Sequence, residues 1–450
     1  MSLHHRYRFL PAGLAMLVLA APISVARPTD PPTFTITPIG TLGGDECSAF
    51  GLNNLGQVTG SSNFDSTVVT RAFVWSNGIV TDLGTLGGSY SSARGINDSG
   101  VIGGWSQVSV GGEDHTVRWV NNVIDDLPHL GGNVAFGNAI NNAGVIVGRS
   151  RNAANRQRAA LWKTDDSIVD LGTLGGVESE ARSLNNLGSV VGYSRTSSNQ
   201  VHAFLHDGTV MTDLGTLGGT RSDAFGINDA GTIVGSSADA GGVTRAFRRP
   251  EGGALTPLLA LSGNSEARAL NESDWIVGLS EVAPGDTRAV LWFRDQIWDL
   301  NLLIPGGLGD FTTLALASNV NERGQIIGQG LTADGFVRGF LLTLADLYLV
   351  GPAAPAASAN NTFTVYGATP GQRSTFVYGF AAGSVGVPNC PGVTVDIRTP
   401  QIIGSAVADS LGIASLTTFV PGAASGRTVF LQDVEQSSCM VSNRIQITFP

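Results

Sequence analysis

The sequence predicts an all-β protein: a seven-bladed β-propeller of four-stranded blades, its N-terminal strand closing the last blade, followed by a small β-sandwich. Three observations predict it. A repeat of 43 to 44 residues recurs seven times, each copy holds four short strand candidates, and glycine supplies 60 of the 450 residues while charged residues supply only 14%. Average chains carry roughly 7% glycine and roughly 25% charged residues, so this one is rich in tight turns between short apolar strands. A hydrophobic fraction of 42% supports packed cores, and the glycines follow no Gly-X-Y period, which excludes collagen.

The first residues read as an export signal. His4, His5, Arg6 and Arg8 form a basic start, Leu14–Pro22 an apolar stretch, and Ser24-Val25-Ala26 a small-x-small cleavage pattern. Residues 1–26 are therefore expected to be a signal peptide cleaved after Ala26, giving a secreted or extracytoplasmic protein. The apolar stretch is too short to span a membrane, and no later run approaches about 20 residues, so no membrane span is expected. Cleavage removes Arg6 and Arg8 and takes the net charge from −10 to −12. Lys163 is the only lysine and there is no basic tract, which argues against nucleic acid as a partner. Of three cysteines, Cys390 and Cys439 are the natural disulfide pair and Cys47 is left over. No CxxC, HxxxH or His/Cys cluster occurs, so neither a metal nor another cofactor is expected.

The repeat itself has three landmarks. An Asn-x-x-Gly turn followed by a second glycine begins at Asn53, Asn97, Asn141, Asn185, Asn228, Asn271 and Asn321; in the sixth copy Asp274 replaces the turn glycine. An apolar strand headed by a cation follows, at Arg71, His115, Arg158, His202, Arg245, Arg288 and Arg338. An Asp-Leu-Gly-Thr-Leu-Gly-Gly segment begins at Asp82, Asp170 and Asp213, with a variant at Asp126. His202-Ala203-Phe204, Asp213 to Gly219 and Gly226-Ile-Asn-Asp-x-Gly231 resemble the HAF repeat of extracellular bacterial proteins over roughly residues 34 to 343. This chain departs by carrying arginine at five of the seven histidine positions. The resemblance implies export and implies no established activity.

Within unit four the strand candidates are Glu180 to Asn185, Ser189 to Ser194, Val201 to Leu205 and Val210 to Leu214. The third strand is apolar on both faces, which suits a sheet covered on both sides, and four strands repeated seven times suit a propeller of residues 33–346. Thr33 to Ile39 aligns with a fourth strand and is expected to complete the last unit. Small residues two and four before each asparagine mark the innermost strand. Gly351 to Ser358 is linker-like, so 347–359 is assigned as a linker and 360–450 as the β-sandwich.

Candidate sites are weighed on the same repeat. Arg71 is expected beside Asp82, His115 beside Asp126, Arg158 beside Asp170 and His202 beside Asp213, as structural ion pairs that lock each hairpin. Arg245 lacks an aligned aspartate, because Thr256 stands there. Arg94, Arg182 and Arg268 share a position three before the asparagine; they are the candidate anion-binding residues at a channel mouth, and solvated or internally paired arginines are the favoured alternative. The Leu-Gly-Gly loops lack the Gly-Lys-Ser/Thr and helix of a phosphate loop, and the strand tryptophans are expected to pack between units. No Gly-x-Ser-x-Gly elbow occurs and no catalytic residue is assigned. The loops joining strands two and three vary freely: Ser61 to Thr70, Trp105 to Asp114, Arg149 to Gln157 and Leu279 to Thr287. The expectation is thus a monomeric, non-enzymatic binding protein that uses this loop face for an extracellular glycan or protein. The alternatives are a polysaccharide-acting enzyme and a structural envelope or matrix component.

Overall fold

The computed structural model describes residues 31–65, 69–352 and 354–450; the expected signal peptide at 1–26 lies outside them. Each repeat forms four antiparallel strands. Unit four is Gly175–Leu184, Val190–Thr196, Val201–His206 and Met211–Asp213. The turn residues explain the first connection. Asn185 Oδ1 accepts the backbone N–H of Ser189 at 2.9 Å, and the turn glycine Gly188 sits at φ +88°. Asp274, which replaces that glycine in unit six, adopts φ 61°, a left-handed conformation that aspartate tolerates.

The second glycine is required for a different reason. A register shift between Ala181 and Ser183 bulges the first strand and drives a carbonyl toward the second. A Cβ on Gly192 would lie 2.0 Å from Glu180 O, and one on Gly60 would lie 1.9 Å from Ser48 O. No side chain fits there.

Neighbouring units bury the third strands between them. Phe73, Trp119, Trp162, Phe204 and Phe247 are fully or almost fully buried, and the indole N–H groups of Trp119 and Trp162 donate to Leu83 O and Pro128 O at 2.9 and 2.7 Å. In units two, four, five and six a buried serine hydroxyl six residues before the asparagine ties the pair. Ser179 Oγ accepts Ala159 N–H and donates to Gly172 O, and Ser222 does the same with Ala203 and Gly215. Cys47 occupies this position in unit one: its buried thiol accepts Gly339 N–H at 3.3 Å and donates to Ile39 O. The leftover cysteine is a serine equivalent, and burial raises its pKa.

The N-terminal strand Phe34–Pro38 pairs antiparallel with Val337–Leu344, from Phe34 opposite Leu344 to Pro38 opposite Phe340. The longer spacing before Asn321 is taken up by a 3-10 turn at Leu300–Leu302 and by Leu303, Ile304 and Phe311, which are buried in a core with Phe34 and Trp275. Between Ile304 and Phe311 the residues Pro305, Gly306, Gly307, Gly309 and Asp310 stay exposed.

The closed seven-bladed β-propeller expected from the sequence is corrected on sheet topology. Every sheet is an open path with two edges, and none closes into a barrel. The seven repeats also do not give seven sheets. The long first strand of unit five, Gly218–Ile227, begins beside the third strand of unit four, and a parallel bridge from Val201 to Arg221 joins the two units into one eight-stranded sheet. The repeat region is therefore an all-β assembly of open sheets, five of four strands and one of eight.

What does run full circle is two circuits of hydrogen bonds. Each repeat asparagine donates its Nδ2 to the backbone oxygen of the next one, from Asn53 to Asn97 and onward, and Asn321 returns to Asn53, all at 3.0–3.2 Å. One residue on, each backbone N–H donates to the next side chain, from Asn54 to Asp98 and onward, and Glu322 returns to Asn54, at 2.6–3.1 Å.

Beyond the repeats lie further antiparallel sheets. Tyr348–Val350, Ala359–Tyr366 and Ala414–Val420 form one. Gln401–Val407, Arg373–Gly379, Thr428–Glu435, Met440–Val441 and Ile445–Thr448 form a second, and Ala382–Gly386 pairs with Thr394–Ile397. Leu349, Phe363, Phe376, Leu431 and Ile447 pack between them. Cys390 and Cys439 are disulfide-bonded, with Cα atoms 5.4 Å apart. The expected linker begins as a strand, and Tyr348, Val350 and Tyr366 pack on Trp275 of unit six. Tyr366 Oη donates to Ser273 Oγ at 2.7 Å.

Candidate functional site

All seven units contribute to one cavity of about 500 Å³. Its rim is the second circuit, where Asn142, Asn186 and Glu272 are exposed and Asp98, Asp229 and Glu322 are half-buried. The four carboxylates make the rim acidic. Burial raises Glu322 to about 7; the N–H of Glu272 opposes this, and the charges of Glu272, Asp229 and Asp98 add to it.

On the cavity wall, the position three before each asparagine carries four residue types over the seven units and never the same one in two consecutive units: Phe50, Arg94, Asn138, Arg182, Phe225, Arg268 and Ser318. The three arginines named from the sequence therefore line one cavity. They are not equivalent. Arg182 pairs with Glu180 at 2.9 Å and with Asp223 at 3.4 Å, and Arg268 pairs with Glu266. Arg94 has no ion pair among the described residues; its guanidinium lies 4.2 Å over the ring of Phe50. Burial lowers Arg94 to about 10, and the like charges of Arg182 and Arg149 add to the shift, with Glu180 opposing it.

Behind the wall sits a buried polar layer. Glu180 accepts from Asn138, Arg149, Gln157 and Tyr193 as well as from Arg182. Asp223 is 3% exposed and one carboxylate oxygen has no hydrogen-bond partner. Its burial raises it to about 6, against the charge of Arg182.

The cation ring is occupied within the protein. Arg71 meets Asp82 at 2.8 Å, His115 meets Asp126 at 2.9 Å, His202 meets Asp213 at 2.8 Å and Arg158 meets Asp170 at 3.7 Å. Arg245, lacking its aligned aspartate, turns to Asp239 at 3.2 Å on the neighbouring strand. Arg288 turns to Asp286, and Arg338 to Asp334. These pairs are partly exposed and each contributes little energy; their effect is to engage all seven cations. Sequence reasoning missed the carboxylates five residues before the asparagine, buried Glu180 and Asp223 and half-buried Glu266, although their spacing two residues from an arginine was a readable signal in units four and six.

At the opposite end of the sheets, where the variable loops lie, a smaller cavity of about 160 Å³ is lined by Phe136, Arg149 and Gln157 among others. Among the described residues no group of three or more His, Cys, Asp or Glu forms a metal site, and no helix is long and apolar enough to cross a membrane.

No family model matches the chain, and no curated protein matches it. Among solved structures it aligns with Escherichia coli alpha-2-macroglobulin activated by porcine elastase at 11% identity and a TM-score of 0.16, over 93% of this chain and 42% of that one. The chain thus spans less than half of that protein, and so low a score supports no conclusion about fold or function.

Proposed function

We propose that the protein is an exported, non-enzymatic binding protein whose ligand sits in the cavity shared by the seven units. One observation carries this reading. A wall position that changes from unit to unit lies directly beneath an asparagine circuit that does not change, and a fixed frame with varied contacts is the arrangement that recognition of a single molecule needs. The cavity volume falls within the usual range for small-molecule sites, and the much smaller cavity at the loop end moves the assignment away from the loop face. Export rests on the basic, apolar and small-x-small pattern of residues 1–26, on the resemblance to the HAF repeat and on the disulfide, which suits an oxidising compartment.

The enzyme alternative has weaker support. Its best carboxylate pair, Glu180 and Asp223, is bridged by Arg182 and does not line the cavity. The test is a calorimetric screen of neutral and acidic sugars and short glycans, with product analysis. Saturable binding near one ligand per chain, lost in a cavity-filling Ser318→Trp variant that still folds, is the expected result. Turnover of any glycan would establish the enzyme class instead, and absence of all binding would favour the structural role.

A further inference from the structure

We propose that the unit-two wall of this cavity is a subsite for a single carboxylate, anchored by Arg94; this deepens the binding reading above and rests on it. The comparison within the repeat makes the case. Arg182 has Glu180 two residues back along its strand, and Arg268 has Glu266 in the same place, so each arginine receives its counter-charge from its own unit. Alternation along a strand puts the residue two back on the same face. In unit two that residue is Ser92, 2% exposed, whose Oγ has no hydrogen-bond partner. Arg94 itself meets no carboxylate, and its Nε is buried without a partner. An unmet Nε is shared by Arg182 and Arg268, but the missing counter-charge and the unpartnered serine belong to unit two alone among the three.

The ring of Phe50 fixes the guanidinium from one side at 4.2 Å, which leaves a planar fork of donors of the kind that matches a carboxylate. The ligand's charge follows from what surrounds it. Arg182 and Arg268 are already balanced, so the wall holds one uncompensated positive charge. The rim carries Asp98, Asp229, Glu272 and Glu322, which repel a polyanion approaching through it. A monoanion with a neutral, hydroxyl-bearing body suits both, because the rim amides of Asn142 and Asn186 each donate one N–H, to Asp98 and Asp229 respectively, and keep a second for a ligand hydroxyl. The chemistry named is therefore a monocarboxylate, supplied by an acidic sugar or by a small organic acid.

Calorimetric titration of the purified protein with glucuronate, galacturonate, glucose, galactose, acetate and inorganic phosphate tests it. Uronates should bind at one per chain and their neutral counterparts at least tenfold more weakly. Arg94→Gln should weaken uronate binding tenfold or more without lowering the unfolding temperature. Ser92→Glu should block it equally by supplying the internal counter-charge, and it serves as the second variant if the first does not fold. Acetate binding as tightly as uronate identifies the carboxylate alone as sufficient and points to an organic acid; uronate binding alone points to an acidic sugar. Neutral sugars binding while every carboxylate fails, or uronate affinity unchanged in Arg94→Gln, overturns the subsite and leaves the binding reading standing. Phosphate binding more tightly than any carboxylate overturns the monoanion assignment. Failure of every compound to bind removes both readings.

Discussion

Arg94 and Arg182 occupy the same position of the repeat, two units apart, and do opposite things. Arg182 stands between two buried carboxylates and neutralises them. Arg94 stands over a phenylalanine ring with no carboxylate in reach. The residue two places back, glutamate in one unit and serine in the other, makes the difference. A repeat position thus fixes where a side chain points, and its neighbours decide whether the side chain stabilises the fold or is free for a ligand.

The largest effect expected from breaking this contrast is at Arg182. Arg182→Met leaves Asp223 buried without an ion-pair partner and Glu180 with Arg149 alone, and should cost about 3–5 kcal/mol in urea unfolding. The loss should be smaller at pH 5 than at pH 8, because Asp223, already raised to about 6 by burial, is protonated at the lower value.

Next comes the frame that both arginines share. Asn185→Ala removes the amide bond to Asn228 O at 3.0 Å and the turn contact to Ser189 at 2.9 Å, and should cost about 2 kcal/mol by the same assay.

The rim gives a pH signature of smaller size. The folded-state pKa of Glu322 is raised from its model-compound value of 4.5 to about 7, so the folded protein holds the proton more tightly than the unfolded chain does. Its stability contribution is full below pH 4.5 and is lost as pH rises through 7, an effect on the order of 1–2 kcal/mol. Glu322→Gln should flatten that part of the stability profile between pH 5 and 8 while leaving the acid limb in place.

The smallest change is expected at Arg94. Arg94→Met gives up a stacking contact but relieves an uncompensated buried charge, and should leave stability within about 1 kcal/mol of the parent. A loss as large as that at Arg182 would show that the two positions are equivalent after all.

The features legible in the sequence were those that one residue type enforces by itself. Gly192 could be read because no Cβ fits against Glu180 O, and Arg71 with Asp82 because hairpin register places them together. Features that depend on which units meet were not legible. The bridge from Val201 to Arg221 leaves no compositional mark, and the burial of Ile304 and Phe311 depends on Phe34, far away in sequence. Arg245 shows the boundary between the two cases. Its missing partner was evident at Thr256, but its replacement, Asp239, lies on a different strand and became evident only in three dimensions. Arg94 is of the same kind: the sequence grouped it with Arg182 and Arg268, and only the counter-charges around each one separated them.

The pairing of Phe34–Pro38 with Val337–Leu344 also constrains how the chain comes to be folded. Thr35 and Thr343 meet across 308 residues of chain, so the strand Phe34–Pro38 waits for the seventh repeat before it has this partner. Contacts of that separation slow folding, because the loop entropy is lost before the contact forms. This delay keeps the assembly incomplete until nearly all seven units are available to fold. The first strand among the described residues then acts as the latch that is set last.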